Sequence, residues 1–374
     1  MKTLDRKVNI LFLLQTLRRG GSENIVKDLC QHLSPDRFNF FVIALIDGEL
    51  KDTFREMGIP TLCVQRDQKG FFAATREISS FIKKHKIDVV NAHHFTPFVH
   101  GVYGAKARGC RIYYTAHSRN EVDLIGRFWS TLGSFLLRFA DGSIGISPDV
   151  SRAIKQTFHL PDVKVLTILN AVNHRRFNGA VDRQTKRREL GIDEAVPVIG
   201  CVGNLRKQKN YPNLIKAFAI VRKGVGRAKL MIVGEGKRED ELRSLTKELG
   251  LEEDVILLGP RSDVPEILKA LDVYCLASFF EGLPLSLLEA MLVGLPAVGT
   301  EINGTRDVIT HEENGLLVPS DNPEELAKAL LRIINDKAFA EILAKNGRNY
   351  VLERHGYDKW TESYERLFST RDRF

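Results

Sequence analysis

The sequence predicts an α/β protein built from two doubly wound, Rossmann-like domains. Three observations predict it. The chain has 374 residues, which at about one domain per 150 residues implies two or three cores, two being the better fit. Two successive series of short, continuous apolar runs alternate with helical stretches, the pattern of parallel strands buried on both faces. A polar, Asn- and charge-rich break separates the two series.

In the front series the strands fall at residues 8–14, 40–45, 61–64, 89–92, 112–115, 143–146 and 165–168. Helices are expected over 22–33, with Ser22 as the N-cap, and over 71–85. After Ile168 the stretch LNAVNHRRFNGAVDRQTKRREL loses its apolar period and reads as a linker entering a short helix. The second series places strands at 198–202, 230–233, 255–258, 273–276, 297–299 and 315–318. From Pro323 onward the pattern is helical and ends in an aromatic-rich WTESYERLF that must pack somewhere. The expected boundaries are a first domain at 1–178 and a second at 179–354.

Hydrophobic residues at 43% and charged residues at 27% are those of a soluble globular enzyme, and 29 Gly with 13 Pro exclude a low-complexity chain. No apolar run approaches the roughly 18 residues that cross a bilayer. The opening MKTLDRKVNILFLL is too short for a signal peptide, so a cytoplasmic protein is expected. The cysteines (Cys30, Cys63, Cys110, Cys201, Cys275) are odd in number, scattered and never in a CxxC pair, which fits buried thiols better than disulfides or zinc. Charge is unevenly placed. Of 55 Lys and Arg and 47 Asp and Glu, 26 and 16 lie in residues 1–178, a net +10, and the remainder is −2. Such a front half favours an anionic partner: a membrane surface, a phosphorylated ligand or a nucleic acid.

Four segments could carry chemistry. LQTLRRGGSEN sets Gly20 and Gly21 at a strand-to-helix turn, where a phosphate could approach backbone N–H groups, although a glycine pair there is as often only a tight turn. VGEGKRED resembles GxGxxG but has Glu239 at the third glycine position, so a turn is favoured over a dinucleotide fingerprint. VGNLRKQKN places Arg206, Lys207 and Lys209 after a buried strand, where α/β sheets bind ligands; a solvated charge run is the plainer reading. In SFFEGLPLSLLEAMLVGLP, Pro284 is expected in the first turn of a helix, leaving the amides near Leu285 and Ser286 unpaired and suited to an anion. Glu281 then precedes the helix and Glu289 lies about one and a half turns into it, so the two carboxylates serve different parts of an extended ligand.

These segments, with TAH at 115–117, LNAVN at 169–173, VGEG, NGLLVP and the GLPAVGT after the E-x7-E element, occur in one order along nearly the whole chain. Together they resemble a retaining glycosyltransferase of the family 4 type. The resemblance implies a GT-B architecture: two Rossmann-like domains facing across a cleft, an N-terminal one for the acceptor and a C-terminal one for the nucleotide sugar. A C-terminal helix, 355–374, would cross back to the first domain. It also implies roles. Glu289 would hold the donor's ribose hydroxyls; Glu281 and Gly282 would lie beside the transferred sugar; Arg206 and Lys209 would neutralise the diphosphate. Leu285 and Ser286 would offer their amides, Gly21 would approach the diphosphate, and His117 would sit at the donor sugar near the acceptor. The base would be read by backbone around Gly259 to Arg261. Asn204 stands where many relatives have Arg, leaving Arg206 as the replacement, and Asp307 stands where Glu is commoner.

The chemistry follows from charge. Breaking a glycosyl diphosphate builds negative charge on the leaving phosphate and positive charge on the ring, so cations and helix N-termini are needed at one and a carboxylate at the other. The family is thought to retain configuration by front-face attack. No nucleophile and separate acid for double displacement can be identified. No metal is required by the sequence, and the default donor is UDP-linked. The expected partners are a nucleotide sugar, a glycan or lipid-linked acceptor and an anionic membrane surface. A nucleotide-sugar 2-epimerase of the same architecture is the alternative, with a basic nucleic-acid-binding protein third.

His93 and His94 are read as hydrogen-bonded fillers. The segment 124–139 puts Leu124, Ile125, Phe128, Trp129, Leu132, Phe135, Leu136 and Phe139 largely on one helical face. Core packing is the default for it and a membrane-dipping helix the sharper alternative.

Overall fold

The structure is a computed structural model describing residues 6–18, 20–177 and 181–369. Its chain forms two compact units, one from residues 1–169 with 358–374 and one from residues 170–357. The division thus falls nine residues before the expected boundary, which itself lies outside the described residues.

The first unit is a seven-stranded sheet in the order β3-β2-β1-β4-β5-β6-β7. The strands are β1 (Val8–Thr16), β2 (Phe38–Ile46), β3 (Thr61–Cys63), β4 (Val89–His93), β5 (Arg111–Ala116), β6 (Gly142–Gly145) and β7 (Val165–Thr167). Every pairing is parallel. β1 is central, with Ile10 to Leu14 all buried, which is why its sequence shows a run rather than an alternation. The order reverses between β1 and β4, so the crevice at their carboxyl ends is the topological switch point.

Two expectations fail here. The helix Gly21–His32 begins one residue early, with Gly20 as N-cap and no side-chain cap; Ser22 instead donates its hydroxyl to Glu23 (2.8 Å). Segment 124–139 is not one core helix. A short helix, Arg119–Asp123, ends just before it, and the segment itself is a break at Leu124 to Gly126 followed by a helix, Arg127–Leu137, of which only Gly133 and Leu137 are buried. Leu124, Phe128, Trp129, Phe135 and Phe139 are all exposed. The helix is seated by its Gly133 side, where the missing Cβ lets Phe158 and Phe95 approach, and nothing covers these five side chains among the described residues.

The last helix, Tyr357–Ser369, belongs to the first unit. Its aromatic stripe is buried: Phe368 meets Phe12 and Phe38 edge-on, and Trp360 stacks edge-on with Tyr364. Glu365 fixes the register by accepting from the Ser34 amide (3.0 Å) and pairing with Arg37 (2.6 Å).

The second unit is a six-stranded parallel sheet in the order β10-β9-β8-β11-β12-β13. Its strands are β8 (Val198–Val202), β9 (Lys229–Val233), β10 (Val255–Gly259), β11 (Val273–Leu276), β12 (Ala297–Thr300) and β13 (Leu316–Val318). The switch point lies between β8 and β11. The stretch read as a linker is packed into this unit: Asn170 accepts from His355 Nδ1 (2.7 Å), and Arg187, almost wholly buried, donates to the Ala270 and Glu194 carbonyls and to Asp272. A charge run hides burial when each charge has a fixed partner.

Candidate functional site

The second unit gathers its candidates at the carboxyl ends of β8 and β11. β8 runs into the loop of residues 203–210 and β11 into the loop of residues 277–284, and the two loops are stitched together. The Phe279 amide donates to the Gln208 carbonyl (2.8 Å) and the Gln208 side chain to the Phe280 carbonyl (2.8 Å). The VGEG turn presses on the first loop from behind. A Cβ at Gly234, whose φ is +139°, would lie 2.2 Å from the Gly203 carbonyl oxygen, and one at Gly236 would lie 2.6 Å from that of Leu205. Those glycines exist for backbone approach.

At the meeting point Lys209 Nζ and Glu281 Oε1 form an ion pair at 2.7 Å, with side chains only 17% and 8% exposed. Ser278 donates to the same carboxylate oxygen at 2.6 Å. A pair this buried needs that third partner, since removing charges from water costs several kcal/mol. Arg206, on the same loop, is exposed and has no ion-pair partner among the described residues.

Pro284 stands before the helix Leu285–Leu292, at its N-cap, rather than in its first turn. Its extended backbone lets its carbonyl accept from Leu287 and Leu288. The consequence expected of it holds: the Leu285 and Ser286 amides have no backbone partner among the described residues, so this end presents two N–H donors with the positive end of a helix dipole. Tyr274 OH donates to Ser286 Oγ (2.8 Å) and fixes that side chain. Glu289, in this helix, is 19% exposed and has Arg176 at 3.6 Å. Gly282 is half-buried in the turn between Glu281 and the helix. Gly259 ends β10 in the left-handed region (φ +66°). Arg261 beside it is committed to Asp263 through two bonds of 2.7 Å, and Arg261, with Lys186, holds the Asp263 carboxyl far below the usual range.

The first unit holds Gly21 and His117. Gly21 is the first helical residue and its α-carbon faces open space. His117, just past β5, heads a buried chain: His117 Nε2 to His93 Nδ1 (2.9 Å), His93 Nε2 to Asn91 Oδ1 (3.0 Å), Asn91 Nδ2 to Thr115 Oγ1 (2.8 Å). Because the Asn91 oxygen only accepts, His93 carries its proton on Nε2 and must accept from His117 Nε2–H. Burial pushes His93 down to about 3 and His117 well below the ordinary histidine value, with the neighbouring imidazoles adding to both.

His94 behaves oppositely and was missed as a filler. Its Nδ1 lies 2.9 Å from Glu121 Oε2 and its Nε2 3.0 Å from Ser22 Oγ. Since the Ser22 proton goes to Glu23, both ring nitrogens of His94 must donate, which is the imidazolium form. Burial would lower its pKa, but Glu121 and then Glu23 outweigh it and raise it above the ordinary value. The readable signal was Glu121 four residues after His117, where its carboxylate also accepts the His117 amide (3.2 Å). Arg176 and Ser278 were also missed, having no motif of their own. Among the described residues no group of three or more His, Cys, Asp and Glu could hold a metal ion.

Comparison with known proteins places the chain in a family. The pattern of "Glycosyltransferase Family 4" matches residues 19–176 and that of "Glycosyl transferases group 1" residues 182–350. A UDP-Gal:α-D-GlcNAc-diphosphoundecaprenol α-1,3-galactosyltransferase of Escherichia coli is 26% identical over 98% of both chains. An N-acetyl-α-D-glucosaminyl L-malate synthase of Bacillus anthracis is 27% identical over 79% of this chain and 78% of that one. The crystal structure of Anabaena Alr3699/HepE in complex with UDP superposes with a TM-score of 0.86, at 24% identity, over 97% of this chain and 100% of that one. The chain therefore belongs to the retaining glycosyltransferases of family 4, GT-B proteins of two Rossmann-like domains that move a sugar from a nucleotide-diphosphate sugar to an acceptor.

Proposed function

We propose that this chain takes its sugar from a UDP-linked donor and hands it to a hydroxyl of a lipid-linked glycan intermediate. The observation that carries the reading is the buried Lys209–Glu281 pair at the second sheet's switch point, on loops that also present Arg206 and lead into the two unpaired amides of helix Leu285–Leu292. Negative charge growing on the leaving diphosphate falls to Arg206, Lys209, the Leu285 and Ser286 amides and, from the first unit, the Gly21 backbone. Glu281, with Gly282 beside it, faces the sugar as its ring gains positive charge. Glu289 holds the ribose hydroxyls, the backbone from Gly259 to Arg261 reads the base, and His117 contacts the donor sugar. The first unit takes the acceptor. The UDP in the Anabaena structure and the donor and acceptor in the Escherichia coli enzyme's name support this choice of substrates.

Incubation with radiolabelled UDP-sugars and membrane lipid extract tests it. Acceptor-dependent label in the lipid fraction, with stoichiometric free UDP, is expected. A UDP-linked 2-epimer with neither free UDP nor labelled lipid would instead establish the epimerase, and RNA retention without turnover a nucleic-acid protein. The exposed aromatics of helix Arg127–Leu137 further support a peripheral position on an anionic membrane.

A further inference from the structure

The first unit contains a pocket of about 540 Å³ made only of its own residues. It opens at the carboxyl ends of β1 and β4, lined there by Gln15, Thr16 and His94, which is the switch point where open α/β sheets bind ligands. His94 is held at φ +77°, a backbone region costly for a non-glycine residue. Its amide bond to the Thr115 carbonyl and its side-chain bonds to Glu121 and Ser22 fix it there. Strain kept at a switch point and over-determined by bonds marks a built site.

The lining divides into three chemistries. One end is carboxylate-rich, with Glu23 and Glu121 on either side of the His94 ring. Two carboxylates around one imidazolium repel a phosphate but accept hydroxyl protons. The walls are apolar, with Phe71 and Trp129 among them; aromatic faces suit the C–H face of a sugar ring or an alkyl chain. Arg66 is the third element. It is half-buried, lines the pocket, and has no carboxylate partner among the described residues. Its Nε donates to His100 Nε2 at 3.2 Å, and His100 stays neutral, pushed down to about 4 by burial and then by Arg66 itself. A guanidinium aimed by a neutral imidazole keeps its charge uncompensated for an incoming anion. The apolar wall continues outward, since Phe71 stacks edge-on with Phe72 and Trp129 with Phe128, both strongly exposed.

We propose that this pocket is the acceptor's own site and selects a sugar carried on an anionic, phosphate-type link to an apolar chain, with the sugar hydroxyls on Glu23 and Glu121, the anionic link on Arg66 and the chain leaving over Phe72 and Phe128. The proposal rests on the reading of the first unit as the acceptor side. It adds that the phosphate link is recognised by one named side chain.

Trp129 lines the pocket and the only other tryptophan, Trp360, is buried in the last helix, so tryptophan emission reports occupancy. The probes are N-acetylglucosaminyl diphosphodecane and the decyl glycoside of the same sugar, added below micellar concentration to the full chain. The diphosphate probe should shift Trp129 emission at a concentration about tenfold or more lower than the glycoside, the contribution of a charge-assisted bond. Arg66→Gln should erase that preference while the glycoside titration stays unchanged, Glu121→Gln should weaken both, and Trp129→Phe should abolish the signal. Equal binding of the two probes by the wild type, a preference that survives Arg66→Gln, or no shift with either probe overturns the assignment. Failure of the parent reading looks different: the UDP-sugar incubation would then yield no labelled lipid, whatever the emission titrations give.

Discussion

At single residues the structure separates groups that the sequence treats alike. Glu281 and Glu289 are both carboxylates of one motif, yet Glu281 is locked to Lys209 and Ser278 while Glu289 sits in a helix near Arg176. Glu289→Ala should therefore weaken UDP binding roughly tenfold or more, the loss of hydrogen bonds to a charged group, whereas Glu281→Ala should leave UDP affinity close to normal and lower kcat. Calorimetry with UDP beside steady-state kinetics decides it; equal loss of affinity in both would refute separate roles. Arg206 and Lys209 also part company. Arg206 is exposed, so Arg206→Ala should act on turnover alone, by about a hundredfold if it meets charge that grows in the transition state. Near-wild-type kinetics would make its loop an ordinary solvated charge run. Lys209→Ala strands the Glu281 carboxylate and should cost about 3–5 kcal/mol of stability besides activity, so its kinetics need a melting curve alongside.

At the scale of elements, the last helix and the histidine chain each hold the first unit together in a measurable way. Phe368 is fully buried against Phe12 and Phe38, and Phe368→Ala should lose about 3–5 kcal/mol in denaturant unfolding. Full stability on removing that ring would mean the helix is only laid against the sheet. His93 is fully buried and stays neutral in the folded state down to about pH 3, while in the unfolded chain it charges below about pH 6.5. Its folded pKa is depressed, so its contribution is intact above the unfolded value and is lost as pH falls. Each pH unit below about 6.5 costs near 1.4 kcal/mol per such group. His93→Gln should flatten the acid limb of the stability profile between pH 6 and 4, relative to the wild type's steeper fall; parallel limbs would show that other groups govern it. His94 runs the other way, its stabilisation present at low pH and fading as pH rises through its raised value.

For the whole molecule, the unit of residues 1–169 with 358–374 carries a net charge of +8 and exposes Phe72, Tyr103, Leu124, Phe128, Trp129, Phe135 and Phe139, while the Arg175 and Arg176 that complete the +10 of residues 1–178 belong to the second unit. Apolar exposure on this scale marks an interaction surface, and no helix among the described residues is long and apolar enough to span a membrane. Basic residues near an anionic bilayer contribute about 1 kcal/mol each, so co-sedimentation with anionic liposomes, weakened by salt, is expected. A Phe72→Ser/Phe128→Ser double variant that keeps its melting temperature should sediment less; it spares Trp129, which lines the pocket. Protein that stays in the supernatant with anionic lipid at low salt would point to a soluble acceptor.

The sequence by itself determined the two parallel sheets, because a strand buried on both faces must be an unbroken apolar run, and Val8–Thr16 or Val273–Leu276 can be read directly. It also gave the loops at residues 203–210 and 277–284, since chemistry in an α/β sheet concentrates where strands end. Tertiary structure decided what depends on residues distant in the chain. Arg187 is core because Asp272 and the Ala270 carbonyl await it, a fact no local pattern carries. Helix Arg127–Leu137 is seated through Gly133 and Leu137 and leaves Phe128, Trp129 and Phe135 exposed; periodicity reports an apolar face without saying whether anything covers it. His94 is a cation because Ser22, Glu23 and Glu121 converge on it from segments 72 residues and 27 residues away in sequence; a protonation state belongs to a surrounding, and only folding supplies one.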